Sequence, residues 1–571
     1  MSAASISVAA RTINPARPGW GVYDTPAKVG KTTLRPGVYY HGKRGELITD
    51  DWLASPVWVA ARVIDADNGA HARLLRYTTQ SGAQEWVMPM EMLSGSGEEI
   101  RRELLRRGAE VSTDSRCRQL FTAYILAQEP TETVTTTSQI GWLPAGGFAL
   151  PTAVIGGNGI RYAGDGTNAF ATAGTIKGWK EGVAAPSLGN PVLMLGICIA
   201  LAGPLLRILQ INGGGVHLIG RSSTGKSLAQ FIGGSAWGSP GRDGFVCSWD
   251  MSRVGVENLA TPRNDTLLCL DEISRVDPTE VQRIVYALAN GQGKATMSRD
   301  RSANPIKTWR ILMLSSGERT LAEHAALSGN PAHAGAELRM IDVLTDRQYG
   351  VFDTLHGHAT SADLHRHLTT EINEHHGLAG IEFVKRLIDD DERRIKSRFK
   401  DLRTHFSSSS PQGNRIADRF ALIATAGELA SEYKVLPWYQ GESLAAMHQF
   451  YNEWLATAGC GEAEDRRVMR QLADFIERHG NRFAELRSEA AKVPNCAGYL
   501  QRDSNDKEAL YLFNRGGLAE ACPGLGLDRV VRILSTAGVI ATHDRGRQTK
   551  KIRLPDGGML NAYAINPATL S

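Results

Sequence analysis

The segment from Gly215 to Ser227 contains a glycine-rich loop whose residue types suit the binding of phosphate groups. Its fixed positions all fit the pattern G-x-x-x-x-G-K-[ST]. The glycines let successive backbone N–H groups point at phosphate oxygens, Lys226 brings a positive charge to the β- and γ-phosphates, and the Ser227 hydroxyl is a ligand for Mg²⁺. A plain turn between a strand and a helix could have the same sequence. The surrounding elements therefore decide between a phosphate-binding loop and a plain turn. The predicted phosphate-binding residues are Gly220, Arg221, Ser222, Ser223, Thr224, Gly225, Lys226 and Ser227.

A second segment, further along the chain, ends in two carboxylates. Residues 266–270 (TLLCL) are typical of a buried strand, and Asp271 and Glu272 follow it directly. Asp271 is suited to hold Mg²⁺, directly or through water, and Glu272 to orient and deprotonate the attacking water. An apolar run before Asp-Glu is common and usually marks a strand that runs into a loop. After a phosphate loop it predicts nucleotide hydrolysis, with ATP and Mg²⁺ as cofactors.

The elements around the loop must position these groups. The apolar run Val216–Ile219 predicts a buried parallel strand, and a helix that begins near Gly225 directs the positive end of its dipole at the same anion. A further strand over Arg310–Leu314 ends at two serines, where a small polar side chain could sense the γ-phosphate. We favour Ser315 over Ser316 for that role.

Two arginine- or lysine-bearing segments lend themselves to two interpretations each. Arg339 precedes an apolar strand and is a candidate arginine finger that reaches the nucleotide of a neighbouring subunit; alternatively it is a surface arginine paired with Glu337 or Asp342. Residues 293–309 form either a solvated basic loop or a hairpin that projects cations into a central channel to grip phosphates. The predicted DNA-binding residues in that segment are Lys294, Arg299, Arg301 and Lys307.

The ends of the chain predict two smaller modules. Residues 1 to about 50 look weakly structured, whereas Asn68-Gly69 between two β-rich runs predicts a hairpin and Ser96-Gly97-Glu98-Glu99 predicts a capping box at the start of a helix. This N-terminal α+β part is either a docking module or a DNA-contacting collar. Near the C-terminus, two helices followed by a basic hairpin are the layout of a winged helix, used for DNA or for protein contacts. The predicted DNA-binding residues there are Arg545, Arg547, Lys550 and Lys551.

Composition limits the class of protein. The chain has 571 residues, of which 42% are hydrophobic and 22% charged, with a net charge of only +4, so any nucleic-acid surface must be local. Seven cysteines without a C-x-x-C pair argue against a zinc ribbon or a disulfide framework and suit a reducing cytoplasm. The apolar stretch 191–206 is too short to cross a bilayer and predicts a core helix beside the sheet.

The region between the two modules predicts helices. Six histidines between His356 and His376 fit no familiar zinc spacing and are expected on solvated helix faces. Amphipathic helices are expected over 381–406 and 414–433, with the serine run 407–410 as a loop between them. Arg415 and Arg419 lie one turn apart, so either could act as a second nucleotide sensor in a helical lid.

With these motifs in place, residues 200–435 resemble the phage, plasmid and genomic-island ATPases grouped as the domain of unknown function nine-two-seven family. The matching stretches are HLIGRSSTGKS, LLCLDEI, YALANGQGK, WRILMLSSGE, GAELRMIDV and FDTLHG. Such proteins resemble the MCM-like and superfamily-three branch of AAA+ helicases, often encoded beside or fused to primases. The resemblance implies a ring, usually of six subunits, that translocates on DNA, and it implies the roles given above for Lys226, Ser227, Asp271, Glu272 and Arg339. Residues 1–190 carry no primase signature.

The sequence therefore predicts a multi-domain protein. It consists of an N-terminal α+β domain (1–185), a central AAA+ α/β P-loop ATPase core (186–355), a helical lid and helical region (356–485) and a C-terminal winged helix (486–571). The expected function is that of an ATP-hydrolysing, ring-forming DNA helicase or translocase that replicates a mobile element in the bacterial cytoplasm. An ATP-dependent initiator or loader that does not unwind DNA, and a regulatory or defence ATPase, remain alternatives. Expected partners are single-stranded or forked DNA, five further copies of the chain, and a primase or origin-binding protein, but no membrane.

Overall fold

The computed structural model describes residues 11–79, 82–157, 159–164, 168–241, 244–251, 253–294, 306–329, 334–408, 410–458, 463–486, 493–502, 509–523, 525–544, 547–554 and 557–570. The chain divides into two compact units, one of residues 1–172, 261–265 and 384–389, the other of 173–260, 266–383 and 390–571. Among the helices in these ranges, none combines the length and the apolar character needed to cross a bilayer.

The first unit is built from short strands and two helices. The described residues of this unit form four sheets, with the strand orders β1-β3-β4, β2-β5-β6, β14-β10-β7-β8-β9 and β11-β12-β13. The bounds are β1 Arg11–Ile13, β2 Gly19–Tyr23, β3 Ala27–Val29, β4 Thr32–Leu34, β5 Gly37–Arg44, β6 Leu47–Ala54, β7 Val57–Asp65, β8 His71–Thr79, β9 Gly82–Pro89, α1 Glu98–Arg106, α2 Ser115–Ala127, β10 Thr133–Thr137, β11 Gly141–Trp142, β12 Phe148–Leu150, β13 Ala153–Ile155 and β14 Ile160–Tyr162.

Strands β5 to β9 and both helices share one apolar core, which includes Leu53, Met88, Leu104 and Phe121. The hairpin around Asn68-Gly69 is confirmed, because β7 and β8 pair in antiparallel register. The weak structure expected before residue 50 is wrong, since six strands lie between residues 11 and 54. The expected capping box is also wrong. Helix α1 begins at Glu98, which puts Gly97, with no side chain and a φ of 67°, at the N-cap.

The second unit centres on a five-stranded parallel sheet with the order β16-β17-β18-β15-β19. Every residue of its strands β15, β17 and β18 is buried, as expected for a parallel sheet covered on both faces. The bounds are β15 Gly214–Ile219, β16 Val246–Ser248, β17 Thr266–Asp271, β18 Ile311–Gly317 and β19 Met340–Leu344.

Nine short or medium helices accompany this sheet in the described part of residues 173–339. They are α3 Ile176–Trp179, α4 Ala185–Ser187, α5 Pro191–Ala202, α6 Leu205–Leu209, α7 Lys226–Ser235, α8 Arg253–Ala260, α9 Val281–Asn290, α10 Leu321–Ala326 and α11 Ala334–Glu337, with a π-helical turn Lys180–Ala184 between α3 and α4.

The predicted core helix beside the sheet is confirmed. It is α5, whose residues are all buried and which packs on α7, β17 and β18. Gly196 of α5 and Gly233 of α7 face each other, and a Cβ on either would lie 2.6 Å from a backbone oxygen of the other helix. This close approach holds α7, and with it the loop that precedes α7, against the sheet.

A helical region follows the sheet. It comprises α12 Ser361–Glu374, α13 Ala379–Asp389, α14 Glu392–Arg403, α15 Pro411–Glu432, α16 Glu442–Ala458 and α17 Ala463–His479. The single helix expected over 381–406 is wrong, since Asp390 is extended and the side chain of Asp391 caps a new helix at Glu392 by accepting from the Arg393 N–H. The helix expected over 414–433 is confirmed as α15.

The C-terminal part combines a mixed sheet with two helices. The bounds are β20 Phe483–Glu485, β21 Gly498–Arg502, β22 Ala509–Phe513, α18 Arg515–Ala521, α19 Leu527–Thr536, β23 Ile540–Thr542, β24 Lys550–Arg553 and β25 Met559–Ile565. The two expected helices and the basic strand are present. However, β24 and β23 both pair with β25, so the hairpin is formed by β24 and β25 rather than by β23 and β24 as expected. Side chains of α17, such as Val468 and Leu472, share the core of this part.

Candidate active site

The glycine-rich loop leaves the carboxyl end of the central strand β15 and enters helix α7 at Lys226. Gly225 has a φ of 104°, and a Cβ there would lie 2.7 Å from Val351, so the turn into the helix requires glycine. The backbone N–H of Val351 donates to the Thr224 carbonyl at 3.0 Å. This hydrogen bond joins the loop to the segment that follows β19. The predicted strand, loop and helix are confirmed.

The ammonium of Lys226 is hydrogen-bonded to the backbone at the start of this loop. Its Nζ donates to the backbone carbonyls of Gly220 at 2.7 Å and Arg221 at 2.6 Å, and the residue is only 7% exposed. A buried lysine is normally paired with an anion. Among the described residues, the partners of this ammonium are backbone carbonyl oxygens. This arrangement fits a site that binds a phosphate group.

One carboxylate oxygen of Asp271 accepts hydrogen bonds from two hydroxyls. Oδ1 accepts from Ser227 Oγ at 3.1 Å and from Ser316 Oγ at 2.8 Å. Hydroxyl and carboxylate oxygens are the ligands that Mg²⁺ prefers, together with water and phosphate oxygens. The predicted metal ligands Ser227 and Asp271 are thus brought together, although they come from different elements, and the residues present fit a hydrated Mg²⁺.

The expected sensor residue Ser315 does not face this site, which corrects the sequence prediction. Ser315 pairs with His217 and Leu270 across the sheet, and side chains of a strand alternate between its two faces. Ser316 consequently lies on the face of Asp271 and also accepts from the Glu272 N–H at 3.2 Å. The polar side chain beside the carboxylates is Ser316.

Ser315 instead belongs to a buried chain of hydrogen bonds. Trp249 Nε1 donates to Ser315 Oγ at 2.8 Å, the Ser315 hydroxyl lies 2.8 Å from His217 Nδ1, and His217 Nε2 lies 2.9 Å from the Arg319 carbonyl. A carbonyl can only accept, so Nε2 carries the proton and Nδ1 accepts from Ser315. Burial lowers the pKa of His217 to about 4, which keeps the ring neutral, as this chain requires.

Sequence reasoning missed this network. The one signal for it was a histidine within the apolar run GVHLI, a position where a buried polar group needs partners. The bond from His217 to Arg319 ties β15 to the segment that follows β18. It thereby supports the register of β18 against β15.

Glu272 lies at the same edge in a conformation unusual for a non-glycine residue, with a φ of 64°. Its Oε1 accepts from the hydroxyl of Ser274 at 2.6 Å and from the Ser274 N–H at 3.3 Å. Ser274 was not predicted as part of the site. It holds the carboxylate of Glu272 beside the phosphate loop, where the carboxylate can accept a proton from water.

A cavity of 680 Å³ adjoins the phosphate loop and Glu272. It is lined by the phosphate loop, by Glu272 and by residues that were not predicted, namely Glu318, Tyr349, Phe352, Ser361 and His365. Its size is within the range of small-molecule sites. The residues present fit a nucleoside triphosphate with its phosphates on the loop.

Arg339 lies at the opposite edge of the sheet. Its backbone carbonyl accepts from Gly215 at the start of β15, about 17 Å from Gly220 at a strand rise of ~3.3 Å per residue. Its guanidinium donates to the Gly335 carbonyl at 2.9 Å and to Asn290 Oδ1 at 3.3 Å, and lies 4.3 Å from the ring centroid of Tyr286. In the described part of the chain no ion pair joins it to Glu337 or Asp342. Arg339 can therefore not serve the loop of its own chain.

The two candidates for a second sensor both lie on helix α15. Arg419 is buried, its Nη2 donates to the Gly213 carbonyl at 2.8 Å, and burial lowers the pKa of its guanidinium to about 10. Gly213 precedes β15, so α15 crosses the amino edge of the sheet at this point. Arg415 lies one turn away on the same helix and is exposed. Arg419 is therefore directed at the amino edge of the sheet and not at the phosphate loop, and a role of Arg415 as a second sensor stays a prediction.

The basic segment before β18 has the paired arms of a hairpin. Gln292 and Thr308 form an antiparallel bridge, and the Gly293 N–H donates to the Lys307 carbonyl at 2.9 Å. The Lys307 ammonium donates to Asn258 Oδ1 at 2.9 Å, and Lys294 is exposed. Arg299 and Arg301 lie outside the described residues.

In the C-terminal part, Lys550 and Lys551 lie on β24 and Arg547 in the turn before it. Arg547 and Lys551 are exposed and Lys550 is half-buried. Arg545 lies outside the described residues. The three described cations therefore form a basic edge along one hairpin.

The histidine-rich segment shows no metal-binding geometry where it is described. The rings of His358 and His367 lie 5.1 Å apart, and the His356 ring contacts the Leu188 carbonyl. Across the described residues, no group of three or more His, Cys, Asp or Glu side chains is arranged to hold a metal ion by itself.

A parallel sheet in which a strand leads through a G-x-x-x-x-G-K-[ST] loop into a helix, with a carboxylate pair at the end of another strand, defines a P-loop α/β fold. The family model described as "Domain of unknown function (DUF927)" matches residues 31–308. The expected family is confirmed, although the match begins in the N-terminal unit and not near residue 200. No curated protein matches the chain.

The fold of this chain is also similar to that of a solved structure. The structure titled "SCCmec type IV Cch - active helicase" is similar with a TM-score of 0.71 at 18% identity, over 94% of this chain and 97% of that chain. "The A form apo structure of NrS-1 C terminal region-CTR" (TM-score 0.31, 9% identity, 88% of this chain and 96% of that chain) and a mutant of Thermotoga maritima RuvB (0.17, 14%, 66% and 93%) are too dissimilar for a comparison of folds.

Proposed function

We propose that this chain is an ATP-hydrolysing DNA helicase or translocase of the AAA+ type that serves a mobile genetic element. The observation that carries the proposal is the convergence of Lys226, Ser227, Asp271 and Glu272 at the carboxyl edge of one parallel sheet. Open α/β sheets bind ligands at this edge, where connections diverge from neighbouring strands. Phosphate-loop amides, a lysine and two carboxylates are the groups that phosphoryl transfer to water requires.

The residues divide the chemistry between them. Lys226 exchanges its two carbonyl partners for phosphate oxygens, and the amides of Gly220 to Gly225 donate to the same anion. Ser227 and Asp271 would hold Mg²⁺, which would neutralise charge on the phosphates of the nucleotide. Glu272 leaves Ser274, orients the attacking water and accepts its proton, while Ser316 keeps Asp271 in place.

The position of Arg339 supports an assembly of several copies. It lies about 17 Å from the loop of its own chain, at the other edge of the sheet, and can therefore reach a nucleotide only on a neighbouring copy. In a ring, usually of six subunits in similar AAA+ proteins, each nucleotide would lie between two copies. An arginine supplied in this way stabilises the charge of the transition state.

Contacts to DNA are proposed for two basic elements. The segment 293–309, as a hairpin, would carry Lys294, Arg299, Arg301 and Lys307 into the centre of the ring and move with hydrolysis. The C-terminal helices and the basic edge of β24 would act as a winged helix that grips phosphates of the duplex or fork. Helices α12 to α16 would form the lid, and a primase or an origin-binding protein would act beside the ring in the cytoplasm of a bacterium.

The likeness to a structure titled as an active helicase of SCCmec supports the fold that this function requires. The test is strand displacement by the full chain on forked DNA, with and without ATP, together with ATP hydrolysis with and without oligonucleotides. The proposal expects DNA-stimulated hydrolysis and ATP-dependent displacement. DNA-stimulated hydrolysis without displacement would identify an initiator or loader, and hydrolysis indifferent to DNA would identify a regulatory ATPase; either result overturns the helicase.

A further inference from the structure

We propose that the part of the cavity on the β19 side of the phosphate loop is a binding site for the base of a nucleoside triphosphate, formed by Tyr349, Phe352, Ser361 and His365. This inference rests on the proposed function, since it concerns the same nucleotide. It adds which end of the cavity recognises the nucleoside and which residues do so.

Sheet topology gives the cavity two chemically different ends. The phosphate loop follows β15, which lies between β18 and β19. Glu272 and Glu318, which follow β17 and β18, line the cavity on one side of the loop, and Tyr349 and Phe352, which follow β19, line it on the other. The carboxylate end is the place for the water and the last phosphate, so the nucleoside must extend towards the aromatic end.

The aromatic end is attached directly to the phosphate loop. Tyr349 and Phe352 belong to a tight turn with bridges Arg347↔Gly350 and Tyr349↔Phe352, and the N–H of Val351 donates to the Thr224 carbonyl at 3.0 Å. A Cβ on Gly350 would lie 2.7 Å from that carbonyl oxygen, which explains the glycine. The turn is therefore held at a fixed distance from the phosphates.

The turn has a second anchor on its other side. Both Nη atoms of Arg347, whose side chain is 10% exposed, donate to the carboxylate of Glu453 at 2.7 and 2.9 Å. A bidentate pair of this kind fixes orientation as well as distance. The turn is thus prepared before any ligand arrives, which lowers the entropy cost of binding.

Helix α12 supplies the polar groups opposite the turn. Ser361 and His365 are one helical turn apart, so they lie on the same face, and both line the cavity. A base needs an aromatic face to stack on and hydrogen-bonding groups for its edge. The rings of Tyr349 and His365 offer the first, and the Ser361 hydroxyl and the His365 imidazole offer the second. Phe352, which is 3% exposed, contributes to the wall of the cavity.

The test compares ATP with inorganic tripolyphosphate, which has phosphates but no base. Binding of each to the full chain is measured by calorimetry for the wild type, Tyr349→Ala and His365→Ala. Tyr349 is 42% exposed, so its truncation leaves the core intact. Tyr439→Ala, at a tyrosine that is 79% exposed and outside the cavity, and Arg366→Ala, at the exposed neighbour of His365, are the matched controls.

We expect each cavity variant to raise the Kd for ATP about tenfold, the effect of losing one stacked or hydrogen-bonded partner of a base. The Kd for tripolyphosphate should stay unchanged, and both controls should match the wild type. Variants that bind ATP like the wild type, or that lose ATP and tripolyphosphate to the same extent, would overturn the base site and leave the proposed function standing. A wild type that binds neither ligand would overturn the proposed function as well.

Discussion

The hydroxyl of Ser316 donates to Oδ1 of Asp271 at 2.8 Å, and this hydrogen bond shows which of two adjacent serines lies at the candidate nucleotide site. Asp271 and Ser316 follow the register pair Leu270 and Ser315 by one residue, so their side chains share a face of the sheet. The neighbouring Ser315 is turned into the protein, where it receives the Trp249 N–H. Ser316 therefore lies beside the carboxylates of the candidate site, and Ser315 lies in the buried hydrogen-bond network.

Substitution of the two serines should separate these roles. Ser316→Ala removes a partner of Asp271 at the site and should lower kcat for ATP hydrolysis about tenfold or more. Ser315→Ala leaves the buried Trp249 N–H without an acceptor and should lower the free energy of unfolding by about 1–3 kcal/mol. Steady-state kinetics and urea titration of both variants check this. The reverse assignment of the two effects would show that Ser315 is the sensor.

The neutral His217 predicts a dependence of stability on pH. Because burial lowers its pKa to about 4 in the folded chain, against ~6.5 when unfolded, the unfolded chain binds the extra proton between these values. The free energy of unfolding should fall as the pH falls from about 6.5 to about 4, by up to about 3 kcal/mol from this group, and the contribution should be constant above that range.

The measurement is the urea midpoint of the wild type and of His217→Gln between pH 4.5 and 8. Glutamine can still donate and accept but does not titrate in this range. The difference between the two proteins should shrink towards low pH. Parallel curves for wild type and variant would contradict a neutral buried His217.

Arg339 should act on the nucleotide of a neighbouring copy. Arg339→Ala is expected to reduce ATP hydrolysis at least about a hundredfold, because the charge of the transition state loses a partner. A mixture of Arg339→Ala with Lys226→Ala should recover part of the activity. Some mixed interfaces combine an intact Lys226 on one copy with an intact Arg339 on the other. Mixing experiments at constant total protein measure this, and a mixture as inactive as its components would remove the role in trans.

The basic edge of β24 should bind phosphates of DNA. Lys550→Glu combined with Lys551→Glu is expected to weaken DNA binding and to reduce the slope of log K against log salt by about one for each phosphate that the protein no longer neutralises. Fluorescence anisotropy with a labelled fork at several salt concentrations gives both quantities. Lys177→Glu, at an exposed lysine of the same unit, is the control. Equal affinities for variant and control would assign this hairpin to protein contacts instead.

Local patterns predicted the centre of the fold. The phosphate loop, the strand that ends in Asp271 and the apolar helix α5 follow from short-range rules, since fixed spacing and continuous apolar runs identify them without knowledge of distant partners. For the same reason Ser227 and Asp271 could be paired from the sequence.

The predictions that were wrong depend on contacts between segments distant in the sequence, or on the position of a side chain to within one residue. Ser315 and Ser316 differ only by the alternation of side chains along β18, and that phase depends on pairing with His217 and Leu270. Arg419 is placed by the path of α15 across the amino edge of the sheet. The six strands before residue 54 are short and separated by glycine and proline, so their pairing, and not their composition, makes them strands.

The central claim is that a triphosphate binds at the phosphate loop, beside Lys226. Its most direct test is the rate of ATP hydrolysis by Lys226→Ala beside Lys177→Ala, whose lysine is 81% exposed. We predict that Lys226→Ala loses hydrolysis by a factor of at least about a hundred while its binding of forked DNA and the activity of Lys177→Ala stay at wild-type values. Hydrolysis by Lys226→Ala at the rate of the wild type would contradict the account.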